Sequence, residues 1–239
     1  MINKKAELTT QQLVTIIILI VSFTVILFLI FRLNLGETTD KQICHNSVVM
    51  KDKAVGFGGA LNCKTQYVCI SGGGECEGIT PTIIKEVDAE SQDEIMQAIA
   101  EEMVDCWWMF GEGELEYVSG YSEFNCAICS IVKFDGEIQS KQTAPLTQDK
   151  IYDYLKKTKK SEGISYLKYL YDADDISSLS ENYFGGGAIS FDKKYSIVTG
   201  LNNDAELLGF TDDHIRSSFI LSDEVKAKTK CDVFEITKA

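Results

Sequence analysis

The sequence predicts an α+β protein, in which an apolar N-terminal helix precedes one disulfide-stapled domain. Three observations predict this class. Residues Leu13–Phe31 form an uncharged, apolar run of helical length. All 8 cysteines lie beyond that run, and such a number is typical of an oxidising compartment. In the rest of the chain, helical and alternating patterns are interleaved without the regular beat of βαβ units.

The apolar run is expected to form a transmembrane helix over residues 13–32. At about 1.5 Å per residue, Leu13–Phe31 extends roughly 28 Å, which is close to the thickness of a bilayer core. No small-residue cleavage site follows it, so an uncleaved anchor is favoured over a signal peptide. We therefore expect the lipid bilayer to be a partner through Leu13–Phe31. Hydroxyl groups inside the run are expected to bond back to helix carbonyls.

Basic residues set the expected orientation of this helix. Lys4 and Lys5 precede it and Arg32 follows it, so the positive-inside rule places residues 1–12 in the cytoplasm. Residues 33–42 read as a polar linker, and residues 43–239 are expected to form an extracytoplasmic α+β domain.

A filament subunit is the alternative from the class of assembly proteins. The run Lys5-Ala6-Glu7-Leu8 resembles the cleavage pattern of archaeal type IV prepilins. Two features argue against it. Gly36–Asp40 interrupts helical periodicity where a pilin spine continues, and Thr9–Gln12 is polar where a pilin is usually apolar.

The charge of the domain limits its partners. Only Lys4, Lys5, Glu7 and Arg32 are charged before residue 33, so 20 of the 23 basic residues and 35 of the 36 acidic residues lie beyond it. Such an acidic surface repels phosphate backbones and anionic headgroups, so no nucleic-acid partner is expected. Other envelope proteins are the expected partners.

The clearest helix in the domain begins after Ser91. Ser91 and Glu94 have the spacing of a capping box, and Gly111 is placed to end the helix. Between them, one apolar face follows a 3.6-residue period. Its members are Ile95, Met96, Ile99, Ala100, Met103, Cys106, Trp107 and Phe110.

Other elements are predicted from shorter patterns. Helices are expected in QDKIYDYLKKTKK, with Thr147 as its cap, and in SEGISYLKYLYDADD. Alternation or β-branched content predicts strands in ICHNSVVM, QYVCI, LEYVSGYSEF, CAICSIVKF, GGGAISFDKKYSIVTGL and CDVFEIT.

The cysteines are expected to form disulfides, but eight of them allow 105 pairings. These disulfide candidates are Cys44, Cys63, Cys69, Cys76, Cys106, Cys126, Cys129 and Cys231. Cys106 lies on the apolar helix face, and uninterrupted alternation in CAICSIVKF places Cys126 on the face with Val132 and Phe134. We therefore predict a Cys106–Cys126 bridge, and expect Cys231 to staple the last strand to the domain.

Catalytic and metal sites are weakly indicated. Cys126 and Cys129 form a CxxC pair, which makes a thiol-disulfide oxidoreductase the alternative from the enzyme class. The residues after it favour a strand rather than a helix, and one CxxC does not make a structural zinc site. Cys44 and His45 point apart if they lie in a strand. No catalytic residue, metal ligand or cofactor is predicted, although Asp212-Asp213-His214 has cation-binding residue types.

Trp108 is the candidate for a partner surface. It lies about 100° round the helix from Trp107, away from Ile99 and Cys106. An indole there is either covered by another element of the fold or exposed to a partner.

Several segments together resemble a set of membrane-anchored archaeal proteins. They are KKAELTTQQLV, KQICHNSVV, LNCKTQYVCIS, DCWWMFGEGE, CAICS and the late KC. The resemblance extends to about Leu155. It implies a single-pass cell-surface protein with a cysteine-rich outer domain, and it implies no activity. The expected role is therefore binding or envelope structure, with an enzymatic role less favoured.

Overall fold

The computed structural model describes residues 10–32, 35–53, 61–117, 124–175, 187–202, 214–229, 231 and 233–234. The chain divides into two units, Met1–Thr39 and Asp40–Ala239. The first unit contains helix α1 (Thr10–Arg32), whose large apolar side chains between Leu13 and Phe28 are exposed. As expected for a hydroxyl inside a helix, Thr24 donates a hydrogen bond to the carbonyl oxygen of Ile20 at 2.7 Å.

The described side chains of α1 extend over residues 12–28. Among the described residues, no helix is long and apolar enough to be assigned as a membrane span. The helical conformation predicted for residues 13–32 is present in α1. Its membrane-spanning role stays a prediction.

Helix α2 (Leu35–Lys53) occupies the segment predicted as a linker and a strand. The strand prediction is wrong, and the segment predicted as a linker is helical from Leu35 onward. The β-branched residues of ICHNSVVM favour a strand by propensity. Lys41, Cys44 and Val48 are nevertheless the buried positions, and their spacing of three and four residues is that of one helix face.

A mixed sheet forms the centre of the second unit. Its strands are β1 (Gln66–Ser71), β2 (Ile83–Glu86), β3 (Phe124–Phe134), β8 (Tyr195–Asn202), β9 (His214–Leu221) and β10 (Val233–Phe234). The order is β2-β1-β3-β8-β9, with β10 paired to β3. The pairs β1–β2, β1–β3 and β3–β10 are parallel, and β3–β8 and β8–β9 are antiparallel.

Two short ladders complete the described strands. β4 (Leu146–Thr147) pairs with β7 (Ala188–Ile189), and β5 (Lys159–Ser161) pairs with β6 (Ile164–Ser165). The strands predicted in QYVCI and CAICSIVKF are confirmed as β1 and β3. Residues 118–123 of the predicted strand LEYVSGYSEF lie outside the described residues.

The helices of the domain pack mainly on one face of the sheet. They are α3 (Gln92–Met109), α4 (Gly136–Lys141), α5 (Gln148–Lys157), α6 (Tyr166–Tyr171) and α7 (Val225–Thr229). Ile95 and Ile99 of α3 and Leu155 of α5 are fully buried in the core with Ile70 and Phe134 of the sheet. The predicted α+β class is confirmed.

Capping explains where α3 begins and ends. The Ser91 hydroxyl accepts the N–H of Glu94 at 3.3 Å, as predicted. The Glu94 carboxylate accepts the N–H of Asp88 at 2.7 Å instead of returning to Ser91, so half of the capping box is present. Gly111 adopts φ +83° after the helix and donates its N–H to the carbonyl of Trp108 at 3.0 Å.

The two later helices differ in how well the sequence predicts them. Thr147 caps α5 as expected, accepting the N–H of Lys150. Helix α6 is shorter than predicted, because Lys159–Ser161 and Ile164–Ser165 form a hairpin before it. Gly163 turns that hairpin at φ +83°, a conformation that favours glycine.

A β-bulge in β3 overturns the predicted Cys106–Cys126 bridge. The register of β3 against β8 shifts between Ile128 and Ser130. Because of this shift, the adjacent residues Cys129 and Ser130 both reach α3: Cys129 bonds to Cys106, and Ser130 donates to Glu102 at 3.0 Å. The prediction assumed uninterrupted alternation, which a bulge reverses.

Cys126 therefore lies on the opposite face of the sheet. It packs with Val198 and Ile220 in a second, smaller cluster and forms a disulfide with Cys231. This bond fixes the chain near β10, which confirms the expected role of Cys231. The other disulfides are Cys44–Cys63 and Cys69–Cys76, so all eight cysteines are paired.

Loop length ranks the disulfides by their expected effect on stability. Cys126–Cys231 links residues 105 apart and Cys69–Cys76 links residues 7 apart. In the chain-entropy model, replacing the first pair by alanine lowers the free energy of unfolding by about 4–5 kcal/mol, and replacing the second by about 2–3 kcal/mol. Chemical denaturation of the two double variants measures this order. Equal losses, or a larger loss for the short loop, would contradict it.

Candidate functional site

The CxxC pair is divided between the two faces of the sheet. Cys126 is bonded to Cys231, and Cys129 is bonded to Cys106. An oxidoreductase of the CxxC type cycles through a disulfide between its own two cysteines, which this arrangement lacks. This pairing does not support the alternative of thiol chemistry at residues 126–129, which stays a prediction from the sequence.

Trp108 is half-buried at the end of α3, against α2. The ring of His45 stacks on its indole, with ring centroids 4.3 Å apart and planes at 13°. His45 Nδ1 donates to the carbonyl oxygen of Trp108 at 2.8 Å, which fixes the imidazole over the indole. One indole face is thus covered from within the domain, and the role of Trp108 as a partner surface stays a prediction.

This contact also corrects the interpretation of the Cys44-His45 pair. The two side chains were expected to point to opposite faces of a strand. In α2 they are adjacent helical residues: Cys44 is bonded to Cys63 and His45 lies over Trp108. Both have structural partners.

A buried ion cluster joins four elements around Glu102 of α3. Its carboxylate is fully buried and lies 3.3 Å from Lys41 Nζ of α2 and 3.2 Å from Lys85 Nζ of β2. The Ser130 hydroxyl of β3 donates to its second oxygen at 3.0 Å. A buried carboxylate with this many donors is stable only while the donors stay in place.

Two further acidic residues of α3 complete the cluster. Lys41 Nζ also lies 2.6 Å from Asp105, and Lys85 Nζ lies 3.1 Å from Glu101. Burial by itself lowers the pKa of Lys85, but the charges of Glu102 and Glu101 outweigh burial and raise the pKa above its usual value. Lys85 therefore stays charged at neutral pH, and its ion pairs contribute to stability until the pH exceeds the ordinary lysine range.

Asp135 organises the glycine-rich loop that follows β1. It is fully buried at the end of β3, and its Oδ2 accepts the N–H groups of Gly72 at 2.8 Å and Gly74 at 2.7 Å. The Ser71 hydroxyl donates to the same oxygen at 3.0 Å. The amides that a phosphate cradle would offer to a ligand are therefore used by a carboxylate of the protein itself.

A polar cleft of about 590 Å³ lies beside this loop. Glu75, Glu77 and Glu137 line it together with Lys133, whose Nζ donates to the backbone carbonyl of Asp192. Among the described residues, no three potential ligand side chains come together as a metal site. The cleft is acidic. The unpaired buried side-chain atoms found in the described part of the chain are Gln148 Oε1 and Ser217 Oγ, and neither residue lines the cleft.

Some predicted positions lie outside the described residues. They are Asp212 and Asp213 of the Asp-Asp-His run and the prepilin-like residues Lys5–Leu8. The backbone of His214 begins β9.

Sequence reasoning missed Glu102 and Asp135, although both leave a signal. Glu102 is three residues after Ile99 and four before Cys106, so it falls inside the apolar stripe of α3, where a charge requires a buried partner. Asp135 directly follows a strand and precedes Gly136, which is the position of a helix cap. The partners Lys41 and Lys85 leave no such signal.

Comparison with known protein families, with curated proteins and with solved structures finds no match. The resemblance to membrane-anchored archaeal proteins stays an expectation from the sequence. The function is therefore inferred from the residues of the protein itself.

The ion cluster yields a paired mutational prediction on α3. Replacing Glu102 by alanine leaves two largely buried ammonium groups without their shared carboxylate, so we expect a loss of about 3–5 kcal/mol in the free energy of unfolding. Glu101→Ala is the matched control on the same helix, since its side chain is 43 % exposed. We expect that variant to lose about 1 kcal/mol or less. Urea unfolding measures both, and equal losses would show that Glu102 is not the centre of the cluster.

Proposed function

We propose that this protein is anchored in the cell membrane by α1 and presents its domain outside the cell, for binding or as part of the envelope. The observation that carries the proposal is the exposure of α1. Its large apolar side chains, such as Ile18, Leu19 and Ile20, are 59–63 % exposed. The uncharged sequence continues to Phe31, which gives the length that a bilayer core requires. A helix that is apolar all round is stable in a membrane or a large core, not in water.

The disulfides support the extracytoplasmic side. Four disulfides and no free cysteine are typical of an oxidising compartment and rare in the cytosol. Lys4 and Lys5 before the apolar run favour the N-terminus in the cytoplasm. The two arguments are independent, and both support a domain outside the cell.

A pilin-like filament subunit is the second candidate, and one observation favours it. Of the two sequence features against it, the polar run Thr9–Gln12 remains, and the other is a break in helical structure at Gly36–Asp40. Those residues belong to α2, which runs from Leu35 to Lys53. A pilin has helical structure in this region, so the objection no longer holds.

A charge in α1 tests the anchor. Ile20→Lys places an ammonium near the centre of the apolar run, which costs about 2.5–3.5 kcal/mol in membrane insertion. We expect wild type and the control Ile20→Ala to stay in the membrane pellet after alkaline carbonate extraction. A larger share of Ile20→Lys is expected in the supernatant. Recovery of wild-type protein in the supernatant would contradict the anchor.

The mass of the native N-terminal peptide separates the two candidates. An anchor that is not processed keeps the residues before Glu7, so we expect a peptide that includes Lys4 and Lys5. A mature start at Glu7 would favour the filament subunit instead.

A further inference from the structure

A groove lies between the edge strand β2 and helix α3. Its volume is about 420 Å³. One wall is formed by the end of β2 and the residue after it. The other wall is one face of α3, whose lining residues are three or four positions apart. The lining residues are Lys85, Glu86 and Val87 on the strand side and Glu94, Gln97, Ala98 and Glu101 on the helix side.

The two edges of the main sheet differ in how they are covered. On β9, the Tyr171 hydroxyl of α6 donates to the carbonyl of Ser217 at 2.6 Å, and the Gln148 amide of α5 donates to that of Phe219 at 3.4 Å. Helix side chains therefore cover β9. Within the described part of the chain, β2 pairs with β1 alone, so its outer edge has no neighbouring strand.

The register of β2 shows which backbone groups face outward. Val87 donates its N–H to the carbonyl of Ser71, and the parallel pairing places Cys69 opposite Ile84. In a parallel ladder, alternate residues bond to the neighbouring strand. The N–H and C=O groups of Ile84 and Glu86 therefore point away from β1. Exposed strand edges of this kind are templates for another strand.

The side chains beside this edge are apolar and acidic. Ile84 is 61 % exposed. The ammonium group of Lys85 points inward and is already paired with Glu101 and Glu102. The groove is lined by three carboxylates, those of Glu86, Glu94 and Glu101, and by one ammonium group, that of Lys85. The lining therefore has an excess of negative charge.

We propose that the groove binds an extended polypeptide segment with alternating apolar and basic side chains, which adds to β2 as a further strand. Backbone hydrogen bonds to Ile84 and Glu86 supply the affinity, and the carboxylates beside them select basic side chains. The proposal rests on the binding role proposed above and names the partner's chemical class. It does not depend on how α1 meets the membrane.

A proline tests the backbone bonds. Ile84→Pro removes an outward N–H that the β1–β2 ladder does not use, and Ile84→Ala is the control that keeps it. Full-length protein in phosphatidylcholine nanodiscs is titrated against fluorescein-labelled peptides of sequence TKVKVKT and TEVEVET. We expect the basic peptide to bind wild type and Ile84→Ala alike, and Ile84→Pro about tenfold or more weakly. The acidic peptide is expected to bind wild type about tenfold or more weakly than the basic one.

A charge reversal keeps the test decisive if the proline variant does not fold. Glu86 is exposed, so Glu86→Lys leaves the core intact. We expect this variant to bind the basic peptide more weakly, and the acidic peptide more tightly, than the wild type does. Three results would overturn the proposal: equal binding of the basic peptide to the wild type and a folded Ile84→Pro variant, no binding of either peptide, or peptide binding that disappears as the protein self-associates.

The membrane anchor and the peptide-binding groove are two proposals that can be refuted independently. A protein that stays in the carbonate pellet but binds neither peptide refutes the groove alone. A protein that leaves the membrane yet binds the basic peptide refutes the anchor alone.

Discussion

The domain depends on one buried carboxylate. Glu102 is fully buried in α3, and it meets Lys41 from α2, Lys85 from β2 and Ser130 from β3. A charge in this position is tolerated because three donors from different elements converge on it. The same contacts hold α2 against α3 and turn Lys85 inward. The position of the edge strand, and with it the groove, follows from where Glu102 is held.

The bulge in β3 is the second constraint, because it brings both Cys129 and Ser130 to α3. The bulge allows both the Cys106–Cys129 disulfide and the Ser130–Glu102 hydrogen bond to form, although Cys129 and Ser130 are neighbours in the strand. Cys126 is left on the other face, where its bond to Cys231 holds the chain near β10. Cys126 and Cys129, which form one CxxC motif in the sequence, thus make disulfides on opposite faces of the sheet.

Local patterns in the sequence are sufficient to predict α3, α5, β1 and β3. The hydrophobic period of each element, and the N-cap of each of the two helices, is encoded within a few residues. Prediction fails where distant contacts decide. The strand-like residues of α2 become helical because Cys44 bonds to Cys63 and Lys41 pairs with Glu102. The disulfide pairing of β3 depends on a bulge that no residue of CAICSIVKF announces. The sequence identifies Trp108 as a candidate site residue. It does not predict that His45 covers the indole, because that contact forms only when residues 35–53 are a helix.

The proposed function combines the apolar helix α1, a domain with four disulfides and the outer edge of β2. In the proposal, α1 attaches the protein to the membrane, the disulfides favour the outer side, and the groove binds a partner there. The acidic composition of the domain supports two parts of this proposal, a position away from anionic headgroups and partners with basic segments.

Protease digestion of intact cells and of opened membranes tests the central claim most directly, since it reports on which side of the bilayer the domain lies. The account predicts that protease added to intact cells removes the domain and leaves a short fragment that contains α1. Protection of the domain in intact cells, with digestion only after the membrane is opened, would contradict it.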